Sequence, residues 1–243
     1  VADPLLQIRG LSKSYGGVRA LDGLDLDVWP GELHAIMGEN GAGKSTLNKL
    51  LCGVVAPDAG EVLLAGAPLP FGSVAEAERA GVAIVHQESA AFPDLTAAEN
   101  HQLMREPTHW GVLLDRRAMR ERTEASLRSV GEAFELDRPV GGLSLAQRQM
   151  VAIARALDQR CRLLVLDEPT ASLSVREADA LFEAMRRIRE SGVAVLFVSH
   201  RLDEVFAIAD RVTVLRDGRW VATAPVAEVD RDTLVRWMVS PAA

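Results

Sequence analysis

The chain has 243 residues, 48% of them apolar and 25% charged, and carries a net charge of −7. That length suits one large domain, or one core with a satellite subdomain, and the composition excludes a disordered chain. The acidic balance argues against a dedicated nucleic-acid binder, and the longest apolar run, Val193–Val198, is far short of the roughly 20 residues that span a bilayer.

Leu5–Arg9 and Leu24–Val28 alternate apolar and polar residues and predict half-buried strands. Pro30-Gly31 marks a turn. Leu33–Met37 follows as a short buried strand, and Thr46–Cys52 has helical composition. Val62–Leu64 and Val82–His86 are further strands. From about 95 to 157 the chain becomes rich in Ala, Glu, Arg and Leu, which predicts a mostly helical subdomain inserted in the core. Leu163–Leu166 is an apolar strand ending in two acids. Ser174–Ser191 reads as a helix, with Ser174 and Glu177 at capping-box spacing and Gly192 as its stop. Val193–Val198 is another buried strand, and Leu202–Ile208 a short helix. Val212–Leu215 and Trp220–Thr223 flank the turn signal Asp217-Gly218, and a last helix covers about Val229–Met238. Apolar strands alternating with helices predict an α/β core with a parallel sheet. Cys52 and Cys161 are not at metal-ligand spacing and read as buried packing residues.

Gly38-Glu39-Asn40-Gly41-Ala42-Gly43-Lys44-Ser45 fits the phosphate-loop pattern G-x-x-x-x-G-K-[ST]. Glycines let the backbone curl around phosphate oxygens, and the helix that begins near Lys44 adds its positive end. The pattern assigns Lys44 to the β- and γ-phosphates of ATP and the Ser45 hydroxyl to Mg²⁺, with Thr46 next in the helix. Asp167 and Glu168 end the Leu163–Leu166 strand, where ligands of open α/β sheets sit. Side chains of adjacent strand residues point to opposite faces, so the two acids need different jobs. Asp167 fits Mg²⁺, and Glu168 fits the attacking water. On its own, such a pair is often only a solvated strand end.

Taken together, the remaining motifs resemble the ATPase subunit of ATP-binding cassette (ABC) transporters, over about Leu5 to Met238 and in the expected order. Leu143-Ser144-Leu145-Ala146-Gln147 is similar to that family's signature, usually L-S-G-G-Q. Gln87 in "VHQE" is similar to its glutamine between subdomains, His200 in "FVSHRLDE" to its switch histidine, and Tyr15 to the aromatic residue that stacks on adenine. The resemblance implies a P-loop NTPase (RecA-like) α/β core with an N-terminal antiparallel β subdomain and an inserted helical subdomain, in a single cassette over residues 1–243. It implies Glu168, His200, Lys44 and Gln87 in catalysis and Ser45, Gln87 and Asp167 at Mg²⁺. It also implies that Ser144 and Gln147 serve the site of a second cassette, arranged head to tail. Each motif has a plainer local reading. Ser144 and Gln147 form a capping box, His200 and Gln87 follow strands, and a lone Tyr is often a packing residue.

"MGENGAGKSTL", "GVAIVHQE" and "DEPTASLS" resemble the branch that powers ribose-, xylose- and galactose-type import. That resemblance implies transmembrane permease subunits as partners, a sugar-binding protein indirectly, and a peripheral place on the cytoplasmic face of the plasma membrane. The second cassette is either another copy or the other half of a fused chain. Phe92 and Leu95, in the segment after Gln87, are expected to face the permease. Three departures stand out: Leu145-Ala146 in place of the signature's Gly-Gly, Ser174 in place of a common Asp, and Arg148 after Gln147. Two other functions are weighed against import. A cassette ATPase acting on nucleic acid or ribosomes is disfavoured by the acidic charge and the 5% aromatic content. A nucleotide-gated module without hydrolysis is disfavoured by the presence of Glu168 and His200.

Overall fold

The computed structural model describes residues 3–86, 91–110 and 112–239. Gln87 lies outside them. Two sheets and a set of helices share two hydrophobic cores. The first sheet is antiparallel, in the order β2-β1-β4-β5, with β1 at Leu6–Tyr15, β2 at Val18–Val28, β4 at Ala59–Leu64 and β5 at Ala67–Pro68. Both β1 and β2 run longer than their alternation suggests, because bulges shift the register between Ile8 and Ser14. The second sheet has the order β12-β11-β3-β10-β9-β6. Its parallel strands are β3 (Leu33–Met37), β6 (Val82–Val85), β9 (Leu163–Asp167), β10 (Ala194–Val198) and β11 (Arg211–Arg216), and β12 (Arg219–Pro225) closes it as an antiparallel edge.

The central strands are apolar throughout because both of their faces are covered. Leu164, Leu166, Val195 and Phe197 face one core, while Leu163, Val165, Leu196 and Val198 face the other, with the period of two that a pleat imposes. The second core lies between the sheets around α1 (Lys44–Leu51), whose Leu47, Leu50 and Leu51 are fully buried. The first is covered by α5 (Leu145–Asp158), α6 (Val175–Glu190), α7 (Leu202–Ile208) and α8 (Arg231–Val239). A short helix that sequence reading missed, α2 (Val74–Ala80), is capped by Ser73 and stopped by Gly81 at φ 108°.

Between β6 and β9 the chain forms α3 (Ala97–Gln102), α4 (Arg116–Ser129) and α5, which pack on one another. Inside this mostly helical stretch sits a small antiparallel hairpin, β7 (Thr108–His109) with β8 (Leu113–Leu114). Trp110 at its tip is 91% exposed, and Val112, Leu113 and Leu114 are also exposed. Phe92 is exposed, whereas Leu95 is half-buried, since its carbonyl accepts from the Val140 N–H and ties it to the turn at 140–142. Among the described residues no helix is long and apolar enough to cross a membrane. Cys52 and Cys161 are buried free thiols, and burial pushes each up to about 12.

Candidate nucleotide site

Parallel pairing aligns the carboxyl ends of β3, β10 and β9. Ile36 lies beside Val198, and Val198 beside Asp167. Each strand then releases a functional segment at the same edge: the glycine loop after Met37, Glu168 after Asp167, and Ser199-His200 after Val198. The local sequence sets the shape of the loop. Gly43 sits at φ 104°, and a Cβ there would lie 2.7 Å from the Ala20 carbonyl oxygen and from Leu21 Cδ2, so only glycine fits. Gly41, at φ 86°, faces open space.

A cavity of about 310 Å³ opens at this edge. Asn40, Gly41, Gly43, Lys44, Ser45, Thr46, Asp167 and Glu168 line it, together with Ala20 and Val198. Lys44 is buried, and its Nζ donates to the carbonyls of Gly38 (2.6 Å) and Glu39 (2.9 Å). Burial lowers its pKa, against the opposing pull of the Glu168 and Asp167 carboxylates. Ala42 is buried within the loop, and its N–H donates to the Glu39 carbonyl.

Strand alternation is not what separates the two acids. Asp167 is the last residue of β9, and Glu168 has already turned into the left-handed region at φ 45°. A non-glycine residue there stores about 1–3 kcal/mol of strain and persists only where its surroundings hold it. His200 is exposed, with its Nδ1 3.5 Å from Glu168 Oε1.

Sequence reading overlooked Glu204, which holds this pair of loops. Its buried carboxylate accepts from the Thr170 hydroxyl and the Ser199 hydroxyl, each at 2.6 Å, and meets Arg201 at 2.8 Å. Thr170 follows Glu168 by two residues and Ser199 precedes His200, so one side chain fixes both segments. The available signal was an acid in the first turn of a helix immediately after a strand-end Ser-His.

Tyr15, the last residue of β1, pairs across the hairpin with Val18; both are exposed, and neither lines the cavity. Ser144 and Gln147 are also outside it. They form the capping box of α5, Gln147 N–H to Ser144 Oγ at 3.3 Å and Ser144 N–H to Gln147 Oε1 at 3.0 Å. Arg148, to which sequence reading assigned no role, donates to the carbonyls of Leu143 and Gly141, bracing the turn before that helix.

Among the described residues no group of three or more His, Cys, Asp or Glu makes a metal cage. One serine hydroxyl and one strand-end carboxylate on a phosphate-sized cavity fit Mg²⁺ instead, which keeps several waters and binds through one or two carboxylates plus phosphates. The fold and this edge define a class, an α/β P-loop nucleotide-binding domain with an added antiparallel sheet and a helical insert. The family model described as ABC transporter matches residues 21–171, and the chain belongs to that family. It is 49% identical to the ribose import ATP-binding protein RbsA 1 of Streptomyces coelicolor, over 97% of this chain and 47% of that protein. The chain thus spans about half the length of the curated relatives it matches. Among solved structures it is similar to cbiO1 of Clostridium perfringens, part of an ABC transporter complex, with 27% identity, a TM-score of 0.82 and 97% and 94% of the two chains covered. It is also similar to an ATP-binding cassette in a dimeric post-hydrolysis state bound to ADP and Pi, with 25% identity, a TM-score of 0.77 and 91% and 98% covered.

Proposed function

We propose that this chain is one ATP-binding and ATP-hydrolysing cassette, residues 1–243 with a helical subdomain at about 95–157, that drives monosaccharide import through separate membrane permease subunits. The observation that carries the proposal is the convergence of Lys44, Ser45, Asp167 and Glu168 on one cavity at the carboxyl edge of the parallel sheet. The curated name of the relative at 49% identity supports ribose or a similar sugar as the cargo.

In this reading Gly38–Thr46 cradle the phosphates, Lys44 leaves its loop carbonyls for the β- and γ-phosphates, and Tyr15 with Val18 offers an apolar platform to the base. Ser45, Asp167 and Gln87 would hold Mg²⁺, which would supply charge neutralisation on the phosphate oxygens. Glu168 accepts a proton from the attacking water as its oxygen bonds to the terminal phosphorus and the bond to the bridging oxygen breaks, releasing ADP and phosphate. His200, beside Glu168, steadies that water. Ser144 and Gln147 face the nucleotide of a second cassette, from another copy or from the other half of a longer chain. The dimeric state of the related ADP-bound cassette supports this. The cassette works at the cytoplasmic face of the plasma membrane, docking there through its permease.

Glu168→Gln tests the assignment. Turnover should drop by at least about 100-fold, on the scale of general acid–base catalysis, while ATP binding measured by calorimetry is retained. Unchanged turnover would remove Glu168 from the mechanism.

A further inference from the structure

Asn48 is an anomaly in α1. It is 2% exposed, yet neither its Nδ2 nor its Oδ1 has a hydrogen-bond partner among the described residues. A buried amide without partners is unfavourable, and a leucine at this helical position would carry no such cost. Such groups are expected to have an explanation, and an ordered water or ion is a common one.

The position points to the explanation. At 3.6 residues per turn, Ser45, Asn48 and Cys52 (i, i+3, i+7) share one flank of α1, while Leu47, Leu50 and Leu51 fill the core between the sheets. Ser45, at the head of that flank, lines the cavity, as does Asp167. At its foot, Cys52 is the buried C-cap of the helix. α1 itself packs on β9, the strand that ends in Asp167. Asn48 thus lies one helical turn beyond Ser45, on a helix packed against the strand that ends in Asp167.

We propose that Asn48 is a positioning residue for the nucleotide's Mg²⁺, its buried amide holding one internal water that completes the hydrogen bonding of Ser45 and Asp167. The inference rests on the Mg²⁺–ATP reading of the cavity. An internal water takes two to four polar partners. The amide offers both donors and an acceptor, and the hydroxyl and the carboxylate supply the remainder. Mg²⁺ sheds its waters reluctantly, and groups that orient its ligands change metal affinity about 10- to 100-fold.

The test uses Mn²⁺ as a spectroscopic probe, titrated into the ATP-bound chain and followed by electron paramagnetic resonance. Asn48→Leu should weaken Mn²⁺ binding about 10-fold and leave ATP affinity in EDTA unchanged. Unchanged Mn²⁺ affinity would make Asn48 a tolerated misfit and overturn the proposal. If the leucine does not fold, Asn48→Ser and Asn48→Ala carry the test. The serine hydroxyl should keep most of the Mn²⁺ affinity and the alanine should lose it, and equal affinities in the two overturn the proposal. If the unsubstituted chain binds no Mn²⁺ with ATP, the reading of the cavity itself fails. Normal binding there with unaltered variants sinks only the role of Asn48.

Discussion

At the scale of single residues, the candidate chemistry depends on side chains that never meet the reacting atoms. Glu168 occupies a left-handed backbone position, and the adjoining loop through Thr170 is held by Glu204, which also holds Ser199 next to His200. Glu204→Gln keeps the volume but leaves one hydroxyl facing an amide NH₂. The expected cost is about 1–3 kcal/mol of stability. Turnover should fall roughly 10- to 100-fold, the scale of a small misplacement of reacting groups. Urea unfolding and steady-state turnover check the two effects, and a stability loss with full turnover would show that Glu204 does not position the pair. Lys44, Ser45, Asp167 and Glu168 were legible in the sequence because their motifs fix residue type and spacing locally. Glu204 was not, because its partners lie 34 and 5 residues away and meet only in three dimensions. Arg148 escaped for a similar reason, since it braces backbone carbonyls and no spacing rule announces that.

At the scale of elements, a polar line runs from the exposed edge strand β12 through β11 to β3, buried at Thr213, His34 and Glu32. Trp220 Nε1 donates to Thr223 Oγ1 (2.9 Å), which meets Thr213 Oγ1 (2.7 Å), which meets His34 Nε2 (2.8 Å). His34 Nδ1 then reaches Glu32 Oε1 at 2.8 Å. The line is consistent with a neutral ring that carries its proton on Nδ1 and donates to Glu32. Burial pushes the His34 pKa down, outweighing Glu32 and Asp210, and Arg211 pushes the same way. For Glu32, burial pushes upward but is outweighed by the hydrogen bonds from His34 and the Trp29 N–H and by the Arg211 charge, leaving it low. Both groups give the same sign. Unfolding lets His34 take up a proton at its ordinary value of 6.5, so its stabilisation is present above that pH and is lost as pH falls toward its lower folded value. Glu32 adds a second loss below its ordinary 4.5. Tm should therefore fall progressively below pH 6.5, and a Tm that is flat from pH 7 to 5 would contradict a neutral buried His34. Element order was largely readable from the strands, because Leu163–Leu166 and Val193–Val198 are too short and too apolar to be anything else. The β7–β8 hairpin was hidden inside an Ala-, Arg- and Glu-rich stretch, and α2 was overlooked although Ser73 and Glu76 carry cap spacing.

At the scale of the whole molecule, the cavity and the α5 capping box occupy different parts of the surface of one chain, and Ser144 does not line the cavity. If catalysis needs both, two cassettes must meet. Specific activity of the isolated chain should then rise with protein concentration until dimers saturate. A rate strictly proportional to concentration over a hundredfold range would show that one chain is sufficient.

The hairpin at β7–β8 has a practical consequence of a different kind. The chain has four tryptophans, and Trp110 at the hairpin tip is 91% exposed against 49% for Trp220. An indole in water emits to the red and is open to collisional quenchers, so Trp110 is an optical probe already built into the helical insert. Whatever comes to rest on that hairpin will shift its colour and shield it from iodide, with no label attached.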